Sequence, residues 1–285
     1  MSNLILNNGL SVPELGFGTA DHKESEFADC IFKAITYGYR FIDTAYVYGT
    51  ESLVGEAVKR AADAGIDRKD LFIQTKFYPP QRPYGGEDVV MQFEESLQNL
   101  NLDYIDSYLI HQPVPRNSEL TYCKQNISVW KAMEELYHQG YVRAIGVSNF
   151  LERHILQLED NCDIRPMINQ LEINPFFQER GLADWCRKRG MLVQAWGPLA
   201  QGEAMEQKQL LSIASKHHVT VAQVCLRWNQ QMGNIPICLS SNIERMRQNL
   251  DLDFDLNDED MEIIRLLNSS TGHRKTYWYP RQQMY

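Results

Sequence analysis

From Glu14 onward the chain alternates two kinds of hydrophobic pattern. Short, nearly unbroken apolar runs occupy residues 15–18, 39–42, 71–75, 105–110, 142–147, 167–171, 192–195 and 234–238. Between them lie longer stretches in which apolar residues return every third or fourth position, for example 25–35, 53–64, 89–100, 127–137 and 181–189. The first pattern predicts strands buried on both faces, the second amphipathic helices. Their alternation predicts a parallel α/β fold. Two architectures compete. An open doubly wound sheet carries a glycine-rich phosphate turn after its first strand, and Gly16-Phe17-Gly18-Thr19 lacks the third glycine of that turn. Eight strands instead close a (β/α)8 TIM barrel, and the barrel is the architecture expected here.

Ahead of the alternation, Leu4-Ile5-Leu6 and Leu10-Ser11-Val12 flank Asn7-Asn8-Gly9. This predicts a β-hairpin whose Asn-Gly turn supplies positive φ angles, placed as a plug at the bottom of the barrel. No Pro/Gly/Ser-rich linker interrupts the chain, so residues 1–285 are read as one barrel domain. Two segments break the alternation: residues 113–125, read as a long loop, and residues 268–285, a tail carrying Tyr277, Trp278, Tyr279 and Tyr285.

Composition narrows the function classes. A formal net charge of −9 argues against a nucleic-acid surface or a basic membrane face. The first residues lack the basic start and long apolar run of a signal peptide, and no apolar run reaches membrane-spanning length. The six cysteines are scattered with no C-x-x-C pair, which reads as reduced thiols in a cytoplasmic protein. No His, Cys or carboxylate cluster has metal-ligand spacing, and His217-His218 point in different directions on a helix.

Candidate chemistry collects at strand ends. Asp43 stands where the second barrel strand should stop, and Tyr48 follows in the loop before the next helix. Lys76 ends the run from Leu71, and His111 ends the run from Tyr104. Singly, each has a plain reading: a turn or cap carboxylate, a packing phenol, a solvated strand end, a satisfied core imidazole. Together they fall at one end of consecutive strand–helix units, which in a parallel barrel is the catalytic face.

At these residues the sequence resembles the aldo-keto reductase family and is similar to bacterial members of the diketogluconate and glyoxal reductase type. Gly16-Phe17-Gly18-Thr19, Phe41-Ile42-Asp43-Thr44-Ala45, Tyr48-Gly49, Gln74-Thr75-Lys76, Leu109-Ile110-His111-Gln112-Pro113, Gly146-Val147-Ser148-Asn149-Phe150 and Asn169-Gln170-Leu171-Glu172 stand in family order. The resemblance implies Tyr48 as general acid, Lys76 as the charge that eases its proton loss, Asp43 as the ion partner and His111 as the donor that orients the substrate carbonyl. It implies that Ser148, Asn149 and Gln170 hold the nicotinamide carboxamide and that Trp196 stacks on the ring. Gly197, Leu199 and Gln201 follow in the loop past the pyrophosphate, while Gly18, Thr19 and Asp43 approach from the first strands. Ser240, Ser241, Asn242, Arg245, Gln248 and Asn249 take the adenosine end. Gly197 replaces a common serine, and Leu239 stands where the family places a lysine. Ala20, Tyr78, Gln112 and Trp278 are the implied substrate walls, Gln112 replacing a common tryptophan, with the tail folded over the barrel mouth.

The function expected is NAD(P)H-dependent reduction of a small aldehyde, ketone, dicarbonyl or keto sugar by a monomer, using NADPH with NADH as the alternative. No amino acid supplies a hydride, so such chemistry needs a nicotinamide. Competing readings are a preferential alcohol or hydroxysteroid-type dehydrogenase on the same site, and a non-catalytic nucleotide-binding regulator, whose expected sign is a broken Asp/Tyr/Lys/His set.

Overall fold

The computed structural model describes residues 3–20, 24–80, 82–113 and 122–268. Strands β1 (Asn3–Ile5) and β2 (Ser11–Pro13) pair antiparallel, with Leu4 opposite Val12. The barrel then runs β3 (Gly16–Gly18), α1 (Phe27–Tyr37), β4 (Phe41–Asp43), α2 (Glu51–Asp63), β5 (Phe72–Phe77), α3 (Gly86–Leu100), β6 (Ser107–Ile110), α4 (Tyr122–His138), β7 (Ile145–Ser148) and α5 (Glu152–Glu159). It continues through β8 (Ile168–Glu172), α6 (Arg180–Lys188), β9 (Leu192–Trp196), α7 (Lys208–His217), α8 (Val221–Gln231), β10 (Asn234–Cys238), α9 (Ile243–Leu250) and α10 (Asp258–Leu266). Strand β10 pairs in parallel with both β9 and β3, so the eight-stranded sheet closes on itself. Closure removes both sheet edges and excludes the open doubly wound alternative.

The barrel interior is built in layers, as strand alternation requires. Phe41 and Phe72 meet edge to face at 5.1 Å in the lower layer. Gly16 leaves room for them, since a Cβ there would lie 2.9 Å from the Phe41 ring. Two residues further along their strands, Asp43 and Gln74 form part of a polar middle layer, and Lys76 stands above it. Outside, α2 turns Val54, Ala57, Val58 and Ala61 inward. Gly55 lets α2 approach α3 closely, because a Cβ there would sit 2.4 Å from the Leu100 carbonyl oxygen. Helix α8 starts in a reciprocal cap: Gln223 N donates to Thr220 Oγ1 at 3.2 Å and Thr220 N donates to Gln223 Oε1 at 2.9 Å.

Some boundaries differ from the sequence expectation. Ile105 and Val142 form only an isolated bridge ahead of β6 and β7. The buried Asp106 carboxylate takes over there, accepting from Ile73 N at 2.9 Å and pairing with Arg68 at 2.7 Å and Arg143 at 2.9 Å. The expected 113–125 loop is shorter at its end, because α4 already begins at Tyr122. The hairpin turn is also different. Gly9 alone has positive φ, at 86°, while Gly9 N donates to Leu6 O and Leu6 N to Leu10 O, both at 2.9 Å. This is a three-residue turn with a glycine bulge, in which Gly9 supplies the positive φ and Asn8 does not. The hairpin lies at the N-terminal end of the barrel, where Asn8 Nδ2 donates to Arg143 O at 2.9 Å. Between the hairpin and the barrel floor lies an open groove of about 1010 Å³, lined by Leu10, Arg40, Phe72, Asp106 and Arg143 among others. None of the residues singled out for chemistry lines it. The tail expected over the mouth, residues 269–285 with Trp278, lies outside the described residues.

Candidate active site

Asp43 ends β4, Lys76 is the penultimate residue of β5, and His111 directly follows β6. Tyr48 closes the short 3-10 turn Tyr46–Tyr48, and Gly49 behind it takes a left-handed φ of 68° that releases the chain into α2. The four candidates therefore meet at the C-terminal rim. Lys76, with no solvent exposure, donates to Asp43 Oδ1 at 2.7 Å, Asp43 Oδ2 at 2.8 Å and Thr44 O at 2.9 Å. Burial pushes the ammonium below its ordinary range, while Asp43 pulls it back up. Its Nζ lies 5.2 Å from the centre of the Tyr48 ring. The Tyr48 hydroxyl is 3.5 Å from His111 Nε2, with the rings edge to face at 5.4 Å. Burial, then the charge on Lys76, holds the His111 imidazole well below its ordinary range, so it is neutral at neutral pH. Its buried Nδ1 has no hydrogen-bond partner among the described residues. A proton on Nε2, the nitrogen that faces the Tyr48 oxygen, is then the useful tautomer.

Beside this set runs a chain of polar side chains. Trp196 Nε1 donates to Asn149 Oδ1 at 3.1 Å, Asn149 Nδ2 donates to Ser148 Oγ at 3.0 Å and to His111 O at 3.1 Å, and Ser148 Oγ donates to Gln170 O at 3.0 Å. Asn149 holds this position in left-handed backbone, φ 61°, which asparagine tolerates. Gln170 Nε2 donates to Gln194 Oε1 at 2.9 Å and Asp43 Oδ1 at 3.2 Å. The loop after β9 carries positive φ at Gly197, Ala200, Gln201 and Gly202, with 49° at Ala200 and 54° at Gln201. Such backbone in non-glycine residues is costly and concentrates at functional loops. Leu199, half-buried, stands in the same loop.

The remaining candidates are more scattered. Gly18 closes β3, Thr19 is buried with Oγ1 3.0 Å from Thr50 Oγ1, and Ala20 is half-buried next to it. Tyr78 lies edge to face with His111 at 5.7 Å, and Gln112, the next residue after His111, is half-buried. Asn242 caps α9, its Oδ1 accepting from Arg245 N at 3.0 Å, and Ser240 Oγ accepts from Asn242 N at 3.1 Å. The Arg245 side chain is exposed and makes no hydrogen bond or ion pair among the described residues. Gln248 turns to Glu244 at 3.4 Å, the carbonyl of Ser241 faces Cys30 Sγ at 3.9 Å, and Asn249 is buried with Nδ2 3.9 Å from Cys238 Sγ.

Two residues were missed in the sequence. Gln74 and Gln194 interrupt apolar strand runs, each two positions before a candidate, Lys76 or Trp196. That period-two offset puts them on the same barrel-facing side, and it is the signal that could have found them. Gln74 Nε2 donates to Asp43 Oδ1 at 2.7 Å and to Gln194 Oε1 at 2.8 Å, and Gln194 Nε2 donates back to Gln74 Oε1 at 3.0 Å. Among the described residues no helix is long and apolar enough to cross a membrane, and no group of three or more His, Cys, Asp or Glu is placed to hold a metal ion.

A closed parallel barrel whose C-terminal rim joins a buried ion pair to a phenol and a neutral imidazole has the layout of a barrel enzyme. The chain belongs to the aldo/keto reductase family, which it matches over residues 14–269, and is an NAD(P)H-dependent oxidoreductase. It is 40% identical over 268 residues to an uncharacterised oxidoreductase, YtbE, of Bacillus subtilis, covering 93% of this chain and 92% of that protein. It is 40% identical over 265 residues to the glyoxal reductase of the same bacterium, covering 92% and 91%. A crystal structure of a Bombyx mori aldo-keto reductase in complex with NADP superposes with a TM-score of 0.85 at 34% identity, covering 93% and 92% of the two chains.

Proposed function

We propose that the chain reduces small aldehydes and ketones, dicarbonyls and keto sugars among them, to alcohols with NADPH, and that Tyr48 donates the proton. The observation that carries this reading is the approach of the Tyr48 hydroxyl to His111 Nε2 at 3.5 Å with the Lys76–Asp43 pair under the same ring. Such hydrogen bonds are often long before substrate binds. A substrate carbonyl oxygen seated between the hydroxyl and Nε2 accepts from both: His111 orients it, and Tyr48 protonates it as negative charge develops. The positive charge of Lys76 stabilises the phenolate left behind, which takes a proton back from water. A bound reduced nicotinamide would supply the hydride that the carbonyl carbon needs.

The residues around this centre fit that cofactor. Gln170 is only 2% exposed, its Nε2 is already engaged, and its Oε1 receives no donor among the described residues. An acceptor left open at the edge of a buried side chain suits an amide N–H. Ser148 and Asn149 would share the carboxamide, Trp196 would face the ring, the positive-φ loop from Gly197 through Leu199 and Gln201 would follow the pyrophosphate, and exposed Arg245 would meet the 2′-phosphate. Similarity to a glyoxal reductase supports small dicarbonyls as the first substrates to try. Ala20, Tyr78 and Gln112 are the proposed walls on the described part of the rim.

The test is NADPH consumption over a panel of small aldehydes, dicarbonyls and keto sugars, run on wild type and Tyr48→Phe. The variant should bind NADPH as wild type does and lose about 10²–10⁴ in kcat, the usual contribution of general acid catalysis. A Tyr48→Phe enzyme that reduces a good aldehyde at the wild-type rate rules Tyr48 out as the acid.

A further inference from the structure

We propose that Gln74 and Gln194 are positioning residues that decide which end of the Gln170 amide faces the cofactor, so that Gln170 accepts from the carboxamide N–H and cannot donate to its carbonyl. This rests on the reading of Gln170 as a carboxamide ligand. A glutamine amide is nearly symmetric in shape, and its two ends differ only in hydrogen-bonding sense. Left alone, Gln170 could present either. The barrel interior removes the choice.

The reasoning starts at Asp43, whose carboxylate accepts only. Gln74 Nε2 faces Asp43 Oδ1 at 2.7 Å, so the Gln74 amide must turn its NH₂ that way. Its Oε1 is then left to accept from Gln194 Nε2 at 3.0 Å, which turns Gln194 Oε1 back toward Gln74 Nε2 at 2.8 Å. Gln194 Oε1 is thereby held as an acceptor 2.9 Å from Gln170 Nε2, and Asp43 Oδ1 is a second acceptor 3.2 Å away. A flipped Gln170 would set its oxygen against both. Gln74 and Gln194 have no exposed surface, so water does not relieve such a clash. The consequence falls on the one unspent atom of the layer, Gln170 Oε1, which takes a donor.

The discriminating probe is the 3-acetylpyridine analogue of NADPH, in which a methyl group replaces the carboxamide NH₂ while the carbonyl is kept. Dissociation constants for NADPH and the analogue are read from quenching of protein fluorescence, without turnover, at pH 6. Wild type should favour the carboxamide by about tenfold or more, because an acceptor covered by the bound nicotinamide and denied its donor is costly. Gln194→Leu removes the nearer of the two acceptors that hold the Gln170 amide, leaving only the longer contact to Asp43 Oδ1 at 3.2 Å, and the preference should shrink to within about threefold. Gln194→Glu should keep it, since a buried glutamic acid beside Asp43 holds its proton and so reproduces both the acceptor and the donor of the amide. Melting temperature of the apo protein is recorded for each variant; if Gln194→Leu does not fold, Gln74→Leu, which releases Gln194 from both its bonds to residue 74, takes its place. A folded leucine variant that keeps the wild-type ratio overturns the proposal, as does loss of the ratio in Gln194→Glu. Gln170→Leu separates the two levels. If it abolishes the preference while the Gln194 and Gln74 variants keep it, the ligand reading stands and the positioning role is wrong; if it leaves the preference intact, the ligand reading itself fails.

Discussion

Lys76 is wholly buried, and Asp43, which holds it, is 4% exposed. Taking one partner from such a pair strands the other charge, at a cost of about 3–5 kcal/mol. For the rate of reduction, the sequence makes Asp43→Asn milder than Lys76→Met, since water and the cofactor can help keep the lysine charged. The structure adds a separate cost in stability, because Asp43 Oδ1 also accepts from Gln74 and Gln170. Asp43→Asn should therefore lower the unfolding free energy by several kcal/mol and loosen the amide layer, which chemical denaturation reads directly. Lys76→Met should act on chemistry. The proton must then leave Tyr48 without a nearby positive charge, so the rate of reduction should fall steeply and the basic limb of the pH–rate profile should move up. An unchanged profile in Lys76→Met would refute the coupling between Lys76 and Tyr48.

Two helices carry predictions of their own. At the start of α5, Leu151 N donates to His154 Nδ1 at 3.1 Å, an imidazole serving where Glu or Gln usually completes a cap. Burial, then the charge on Arg153, pushes the His154 imidazole down to about 3. The unfolded chain takes up this proton below its ordinary value of about 6.5 and the folded chain does not. Stability tied to His154 is thus fully present above about pH 6.5 and drains away as pH falls toward about 3. His154→Gln keeps an acceptor that does not titrate, and its unfolding free energy should vary less between pH 7 and 4 than that of wild type. On α9, Arg245 projects from the first turn behind the Asn242 cap, with Leu239 upstream. Cofactor titration should show NADPH preferred over NADH. Arg245→Ala should weaken NADPH more than NADH, and Leu239→Lys should strengthen NADPH selectively, since a charge-assisted hydrogen bond is worth about 1.5–3 kcal/mol. Equal loss of both cofactors in Arg245→Ala would remove Arg245 from the 2′-phosphate site.

Across the whole molecule, the hairpin and the proposed chemistry sit at opposite ends. The hairpin and the groove beside it occupy the N-terminal face, while the ion pair, Tyr48 and His111 occupy the C-terminal rim. Leu6 is 2% exposed at the hairpin turn. Leu6→Ala should cost roughly 2–5 kcal/mol of stability and leave the NADPH dissociation constant unchanged at a temperature where the variant is folded. A parallel shift in cofactor affinity would mean that the floor and the rim are coupled through the barrel.

The strands, their parallel order and the four rim candidates were legible in the chain because each rests on a local or periodic property: unbroken apolar runs, helical spacing, a polar residue at the end of a strand. Gln74 and Gln194 were legible only in part: the period-two offset from Lys76 and Trp196 gives the side of the strand they share, but nothing in a strand's own pattern says which partner each meets across the barrel. Closure decides that, by bringing strands far apart in sequence to the same level, as with Gln74 and Gln194 at 2.8 Å. The hairpin was legible too, but not how its turn is made: Asn-Gly was expected to supply the positive φ angles, and only Gly9 does, since the pairing of Leu4 with Val12 sets a turn with one left-handed residue. Sequence pattern determined which residues are strand, helix and rim, since burial and backbone preference act locally. Only the tertiary structure decided how the buried polar groups are paired, since each of those hydrogen bonds needs two strands brought to one level by the closed sheet.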